Sequence, residues 1–161
     1  MSMPAAGDPA PDLALPDEGG TIHRLSDRAG GWTVVYFYPK DDTPGCTTEA
    51  CQFTELAPEV RALGGEIWGI SPDGGKSHAA FRTKFGLSFP LLSDVDHAVA
   101  EAYGAWQEKT NYGKTYMGIA RSSFLVGPDG RVAVAWPKVK AEGHAAEVLA
   151  ALRAAHGSSQ A

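Results

Sequence analysis

Cys46 and Cys51 are the only cysteines of the chain, and both fall in the segment Pro39-Lys40-Asp41-Asp42-Thr43-Pro44-Gly45-Cys46-Thr47-Thr48-Glu49-Ala50-Cys51. A cysteine sulfur becomes a strong nucleophile once ionised. Thr43 followed by Pro44 has the form of a helix N-cap and first helical residue, which sets Cys46 at the third helical position. Backbone N–H groups are unpaired there and the helix dipole presents its positive end, so both favour thiolate over thiol. The chemistry indicated is attack of sulfur on a small electrophile, with a second thiol close by. An inert buried cysteine is the competing reading, but reactive thiols collect in the first turn of helices.

The spacing of the two thiols carries its own constraint. Five residues along an intact helix give a rise of about 7.5 Å and a rotation near ~140°. A disulfide needs Cα atoms within about 6.8 Å and Cβ vectors that converge. The stretch from Cys46 to Cys51 is therefore expected to unwind if the two sulfurs are to join. Thr47 and Thr48 are modest helix formers and hold it weakly.

The elements that must position these residues follow from the flanking pattern. Trp32 to Tyr38 is a nearly continuous apolar, β-branched and aromatic run, the mark of a central strand buried on both faces. Phe53, Leu56, Val60 and Leu63 recur at helical spacing until Gly64-Gly65 stops them, and Pro58 inside that pattern is expected to kink or split the helix. Cys46 stands seven residues, about two turns, ahead of Phe53, so it begins the apolar stripe and faces inward beneath the strand end at Tyr38-Pro39. Further strands are expected over Glu66 to Ser71, Phe89 to Leu92, Ser123 to Val126 and Arg131 to Trp136. Gly127-Pro128-Asp129-Gly130 makes the last two a hairpin. Helices are expected over Lys76 to Phe85, Val95 to Tyr103 and Gly143 to Ala155. Asp17-Glu18-Gly19-Gly20 turns an N-terminal hairpin between Asp12 to Leu15 and Thr21 to Leu25. Alternating strands and helices imply an α/β chain with a central mixed sheet flanked by helices, a thioredoxin-like fold with an N-terminal hairpin and inserted elements. One domain over 1–161 is expected, with 1–6 and 157–161 flexible.

Bulk properties exclude several classes. The 161 residues suit a single well-cored domain. A formal charge of -5 argues against a nucleic-acid partner, which needs a basic face. No apolar run approaches the roughly 18 residues of a membrane span, and Met1 to Pro16 shows no secretory pattern. A cytoplasmic location is the resulting expectation. His23, His78, His97, His144 and His156 are scattered and remote from the cysteines, so neither a metal site nor a cofactor is expected. Asp94 and Asp96 read as a solvated turn, His97 and His144 as helix caps or linings, and Trp106 and Tyr112 as anchors of a polar loop over Gln107 to Tyr116.

The run Pro39-Lys40-Asp41-Asp42-Thr43-Pro44-Gly45-Cys46 resembles the Pro-x-x-x-Thr-x-x-Cys signature of peroxiredoxins, and with Cys51 it resembles the Q-type, or bacterioferritin-comigratory, subgroup. The resemblance continues through Gly118 to Leu125, Trp136, Val139-Lys140 and Gly143-His144, covering about Gly7 to Leu152. It implies a thiol-dependent peroxidase of the atypical 2-Cys kind. Cys46 would be the peroxidatic cysteine, Cys51 the resolving one, and Pro39 a shield against water. Thr43, Gly45, Cys46 and Arg121 would bind the peroxide, with Arg121 also stabilising the thiolate and Glu49 orienting it. Hydrogen peroxide and small alkyl hydroperoxides would be the substrates, thioredoxin or a similar dithiol the reductant, and the protein a monomer. Without the resemblance Arg121 reads as an ordinary surface arginine. Two other functions remain open on the residues: a thioredoxin-type disulfide reductase, though that chemistry favours Cys-x-x-Cys, and a redox sensor or chaperone using the same thiols.

Overall fold

The computed structural model describes residues 3–160. A sheet of five strands forms its centre, built from β3 (Trp32–Phe37), β4 (Gly65–Ser71), β5 (Leu91–Ser93), β8 (Ser122–Val126) and β9 (Val132–Trp136) in the order β5-β4-β3-β8-β9. The β3–β4 and β4–β5 pairs are parallel; the β3–β8 and β8–β9 pairs are antiparallel. The strand expected over Phe89 to Leu92 is shifted to Leu91–Ser93. The expected N-terminal hairpin is present as β1 (Ala14–Pro16) and β2 (Ile22–Arg24).

Every residue of β3 is buried, because both sheet faces are covered. Trp32, Val34, Tyr36 and Tyr38 point to the face packed by α1 (Pro44–Ala62), α2 (Gly75–Phe85) and α4 (His144–Gln160). Val35 and Phe37 point to the other, beneath Leu13, Leu15, Ala100, Tyr103 and Ile119. The alternation is the period-two geometry of a strand. Tyr36 crosses to α1 and stacks on Phe53, with ring centroids 4.7 Å apart.

Three expectations are corrected here. Pro58 does not split its helix, since α1 runs unbroken from Pro44 to Ala62. Pro58 is exposed, and it removes the one backbone bond to the Thr54 carbonyl without ending the helix. The polar segment containing Trp106 and Tyr112 is not a loop but a hairpin, β6 (Trp106–Asn111) and β7 (Lys114–Ile119). It turns on Tyr112 (φ 52°) and Gly113 (φ 76°), the two positive φ values that a tight hairpin turn needs. Asp94 is not solvated: it is buried and accepts bonds from the amides of Val99 and Ala100 at the start of α3 (Ala98–Ala102).

At the chain ends, Met3 packs against the second core and Gly7 donates to the Val132 carbonyl, while α4 continues past the expected limit of Ala155 to Gln160. Residues 1, 2 and 161, where part of the expected terminal flexibility falls, lie outside the described residues.

Gly69 on β4 makes room for Tyr36. A Cβ there would stand 2.8 Å from the phenol oxygen and 2.9 Å from Cζ. Gly69→Ala is expected to destabilise the fold by about 1–3 kcal/mol through overpacking. A shift in the urea midpoint checks this; an unchanged midpoint contradicts it.

Candidate active site

The loop between β3 and α1 ends at Thr43, whose extended backbone (φ -102°, ψ 156°) starts the helix with Pro44 at its first position. Cys46 thus takes the third helical position, as its spacing predicts. The first helical bond runs from the Thr47 amide to the Thr43 carbonyl, so the amides of Gly45 and Cys46 lie ahead of it. The Thr43 side chain does not cap the helix. Its hydroxyl donates to the Lys40 carbonyl at 2.9 Å, closing the loop on itself. Cys46 is 1% exposed and belongs to the core that includes Tyr36, Tyr38 and Phe53. Pro39 is half-buried.

Arg121 reaches this sulfur because of strand register. Ser122 pairs with Phe37, so Arg121 lies one residue beyond the paired stretch, at the carboxyl end of β3 where α1 begins. Its Nη2 donates to Cys46 Sγ at 3.3 Å and its Nη1 to Glu49 Oε1 at 2.7 Å. Gly45 permits the approach: a Cβ there would meet Nη2 at 3.2 Å. Burial alone would weaken the guanidinium's charge; Glu49 and Cys46 outweigh it and hold Arg121 above its ordinary value. Sequence position gives no hint of this pairing, since 75 residues separate Arg121 from Cys46.

Glu49, one turn after Cys46, has no solvent exposure. Burial pushes its carboxyl up to about 7, against the opposing pull of Arg121. Its Oε2 makes no hydrogen bond, and neither does the buried phenol of Tyr36. Burial holds that phenol far above its ordinary value, with smaller contributions from Glu49 and Cys46, so it keeps its proton. Lys109 on β6 is a neighbour that sequence reading does not find. Burial lowers its ammonium below the usual range, with Arg121 adding to the effect.

Cys51 is half-buried on the same helix, and both cysteines are free thiols. Burial, and secondarily Glu55 one turn on, raises the Cys51 thiol above its ordinary value. The next residue, Gln52, accepts from the Gly143 amide at 2.9 Å and ties this part of α1 to the start of α4.

A match to the AhpC/TSA family covers residues 6–135. The chain is a peroxiredoxin of this family. It is 51% identical over 154 residues to peroxiredoxin Bcp of Xanthomonas campestris, covering 96% of this chain and 94% of that one. It is 48% identical to peroxiredoxin Bcp of Bacillus subtilis, covering 91% of this chain and 94% of that one. A solved structure of the Xanthomonas campestris bacterioferritin comigratory protein, described for its alkyl peroxide reduction activity, superposes with a TM-score of 0.86 at 51% identity. It covers 89% of this chain and 92% of that one. These findings agree with the family resemblance carried by the Pro39 to Cys51 segment.

The raised carboxyl of Glu49 has a stability consequence with a definite sign. The folded protein holds this proton up to about 7, whereas an unfolded glutamate releases it near ~4.3. The stabilising contribution is complete below the unfolded value and is lost as pH rises through the folded one. Relative to Glu49→Gln, the native protein should lose up to about 4 kcal/mol between those two values and little beyond them. Urea denaturation of both proteins across that range checks it; a difference independent of pH contradicts it.

Proposed function

We propose that the protein reduces hydrogen peroxide and small alkyl hydroperoxides, with Cys46 as the peroxidatic thiol and Cys51 as the resolving thiol. The observation that carries this reading is the Arg121 guanidinium, 3.3 Å from a sulfur placed in the first turn of α1. Family membership and the alkyl peroxide reduction described for the Xanthomonas relative support the substrate class.

The Cys46 thiolate attacks the terminal peroxide oxygen. A sulfur–oxygen bond forms, the O–O bond breaks, and the departing alkoxide or hydroxide takes a proton to leave as alcohol or water. Negative charge moves from sulfur to the departing oxygen in this step. Arg121 lies where it can follow that charge, and a fixed cationic donor lowers such a barrier without reorganising. The free amides of Gly45 and Cys46 add donors on the same side. Thr43 already donates its hydroxyl proton to Lys40, so its oxygen is left to accept the O–H of the incoming peroxide. Pro39, without an amide hydrogen, limits the access of water to the sulfur. Glu49 fixes the direction of the guanidinium.

The product is a sulfenic acid, which condenses with a thiol to a disulfide and releases water. Cys51 supplies that thiol after α1 opens between Cys46 and Gln52. Opening also takes Cys51 out of the partial burial that raises its thiol. A dithiol protein such as thioredoxin then reduces the disulfide, and the helix re-forms. Resolution within one chain fits a monomer, and we place the activity in the cytoplasm. Among the described residues no helix is long and apolar enough to cross a membrane.

Peroxide consumption with thioredoxin and its reductase tests the scheme. Cys46→Ser should show no turnover. Cys51→Ser should consume a single equivalent of peroxide and then stall, or continue only with an added small thiol. Turnover by Cys46→Ser at the native rate overturns the assignment. Amide exchange in the oxidised protein should show residues 46–52 deprotected; full protection alongside an intramolecular disulfide rules out the unwinding step.

A further inference from the structure

We propose that His78 and Asp41 form a buried hydrogen-bonded pair that positions the loop carrying Pro39 and Thr43, and so sets the balance between the folded site and the opened segment. The second half of this inference rests on the resolving role given above to Cys51.

His78, on α2, has no solvent exposure, and Asp41 is 6% exposed. The hydrogen-bond partners fix where the protons are. His78 Nε2 lies 3.0 Å from the Leu92 carbonyl oxygen, which can only accept, so Nε2 carries a hydrogen. His78 Nδ1 lies 2.7 Å from Asp41 Oδ2, and that short contact holds a second proton. Asp41 also accepts from the Tyr38 hydroxyl at 2.6 Å and from the Ser77 hydroxyl at 2.8 Å. The Tyr38 phenol stays a donor, because burial, Tyr36 and Asp41 hold it far above its ordinary value.

The pair is aimed at one short stretch of chain. Asp41 stands two residues from Pro39 and two from Thr43. Its amide donates to Asp73 Oδ2 at 2.8 Å, and that same oxygen accepts from Ser71 at the end of β4. Asp42 adopts φ 57°, a left-handed conformation uncommon outside glycine that aspartate accepts more readily than most, and it turns the chain toward Thr43. Just Asp42 and Thr43 separate Asp41 from Pro44, the first residue of α1. Unwinding of the first turns must therefore pull against a loop anchored to β4 and α2. The anchor holds Pro39, Thr43 and the helix start in the arrangement that receives peroxide, and it opposes the arrangement that lets Cys51 reach Cys46. Both residues act through the loop, as positioning residues.

The three acidic and imidazole groups Asp41, Asp73 and His78 lie close enough to suggest a metal site. Their facing atoms already bond to one another or to Ser71, Ser77, Tyr38 and the Asp41 amide, so the hydrogen bonds account for the cluster.

Two measurements on the full chain test this. Nitrogen-15 spectra of the reduced protein at neutral pH should show the His78 ring held by hydrogen bonds at both nitrogens, with Nε2 the donor to Leu92; a ring that exchanges between tautomers overturns the pair. Stopped-flow mixing with hydrogen peroxide should then separate sulfenic acid formation from disulfide closure. Asp41→Asn should slow the first and speed the second, changing their ratio about tenfold, and Ser77→Ala should change it in the same direction by about threefold, as loss of a charge-assisted hydrogen bond implies. A ratio unchanged in the folded variants, or two rates that fall together, overturns the positioning role. Ser77→Ala removes one hydroxyl from an exposed residue and decides the matter if Asp41→Asn fails to fold. If the native protein itself forms no Cys46–Cys51 disulfide, the resolving role of Cys51 falls; if it does form one and the ratio is unmoved, this inference alone falls.

Discussion

One cation serves two partners in this protein. Arg121 lies between the Cys46 sulfur and the Glu49 carboxyl, and neither partner has appreciable contact with water. Removing either group would leave the others buried and incompletely paired, which is costly in a low-dielectric interior. The rest of the molecule can be understood as the means of keeping this arrangement in place. The β3–β8 register delivers the guanidinium, the first turn of α1 delivers the thiol, and Gly45 leaves the gap through which they meet. Tyr36 and Phe53 form the apolar floor beneath them.

The helix that carries the thiols has to satisfy opposed demands. Its later turns are fixed by Phe53, Ala57 and Val60, which are buried against the sheet and α4. Its first turns are held by fewer apolar contacts and more polar ones: the Arg121 contacts, the Thr43–Lys40 bond and the Gln52–Gly143 bond. The Thr43–Lys40 and Gln52–Gly143 bonds can be exchanged for water at modest net cost, the buried Arg121 contacts only at a larger one, and opening the later turns would add the loss of Phe53, Ala57 and Val60 burial. An opening confined to the beginning of α1 is therefore the one that the distribution of contacts favours.

Local signals made much of this legible in the sequence. The apolar run of β3, the Thr43-Pro44 helix start and the inward phase of Cys46 depend on residues within a few positions of one another. Arg121 was found through family resemblance, because strand pairing across 75 residues has no local signature. The β6–β7 hairpin escaped for a different reason. Most of its residues are exposed on both faces, so no alternation of apolar and polar residues marks it, and its turn places a tyrosine where glycine or asparagine is usual. Asp94 looked solvated because its burial comes from capping a short helix that it precedes by four residues. His78 was one of five scattered histidines until the fold brought it to Asp41.

Pro39 and Pro44 bracket the loop that leads into α1. In the folded site Pro39 is half-buried and Pro44 starts the helix, but their effect would extend to an opened form. A proline has few backbone conformations and restricts the residue before it as well. Tyr38 and Thr43, which precede the two rings, and the prolines themselves are accordingly poor in alternatives even when nothing holds them. If α1 opens and re-forms at each turnover, the chain faces a search problem on every return. The two prolines would remove part of that search, so recovery of the folded helix start begins from fewer conformations than a proline-free loop would offer.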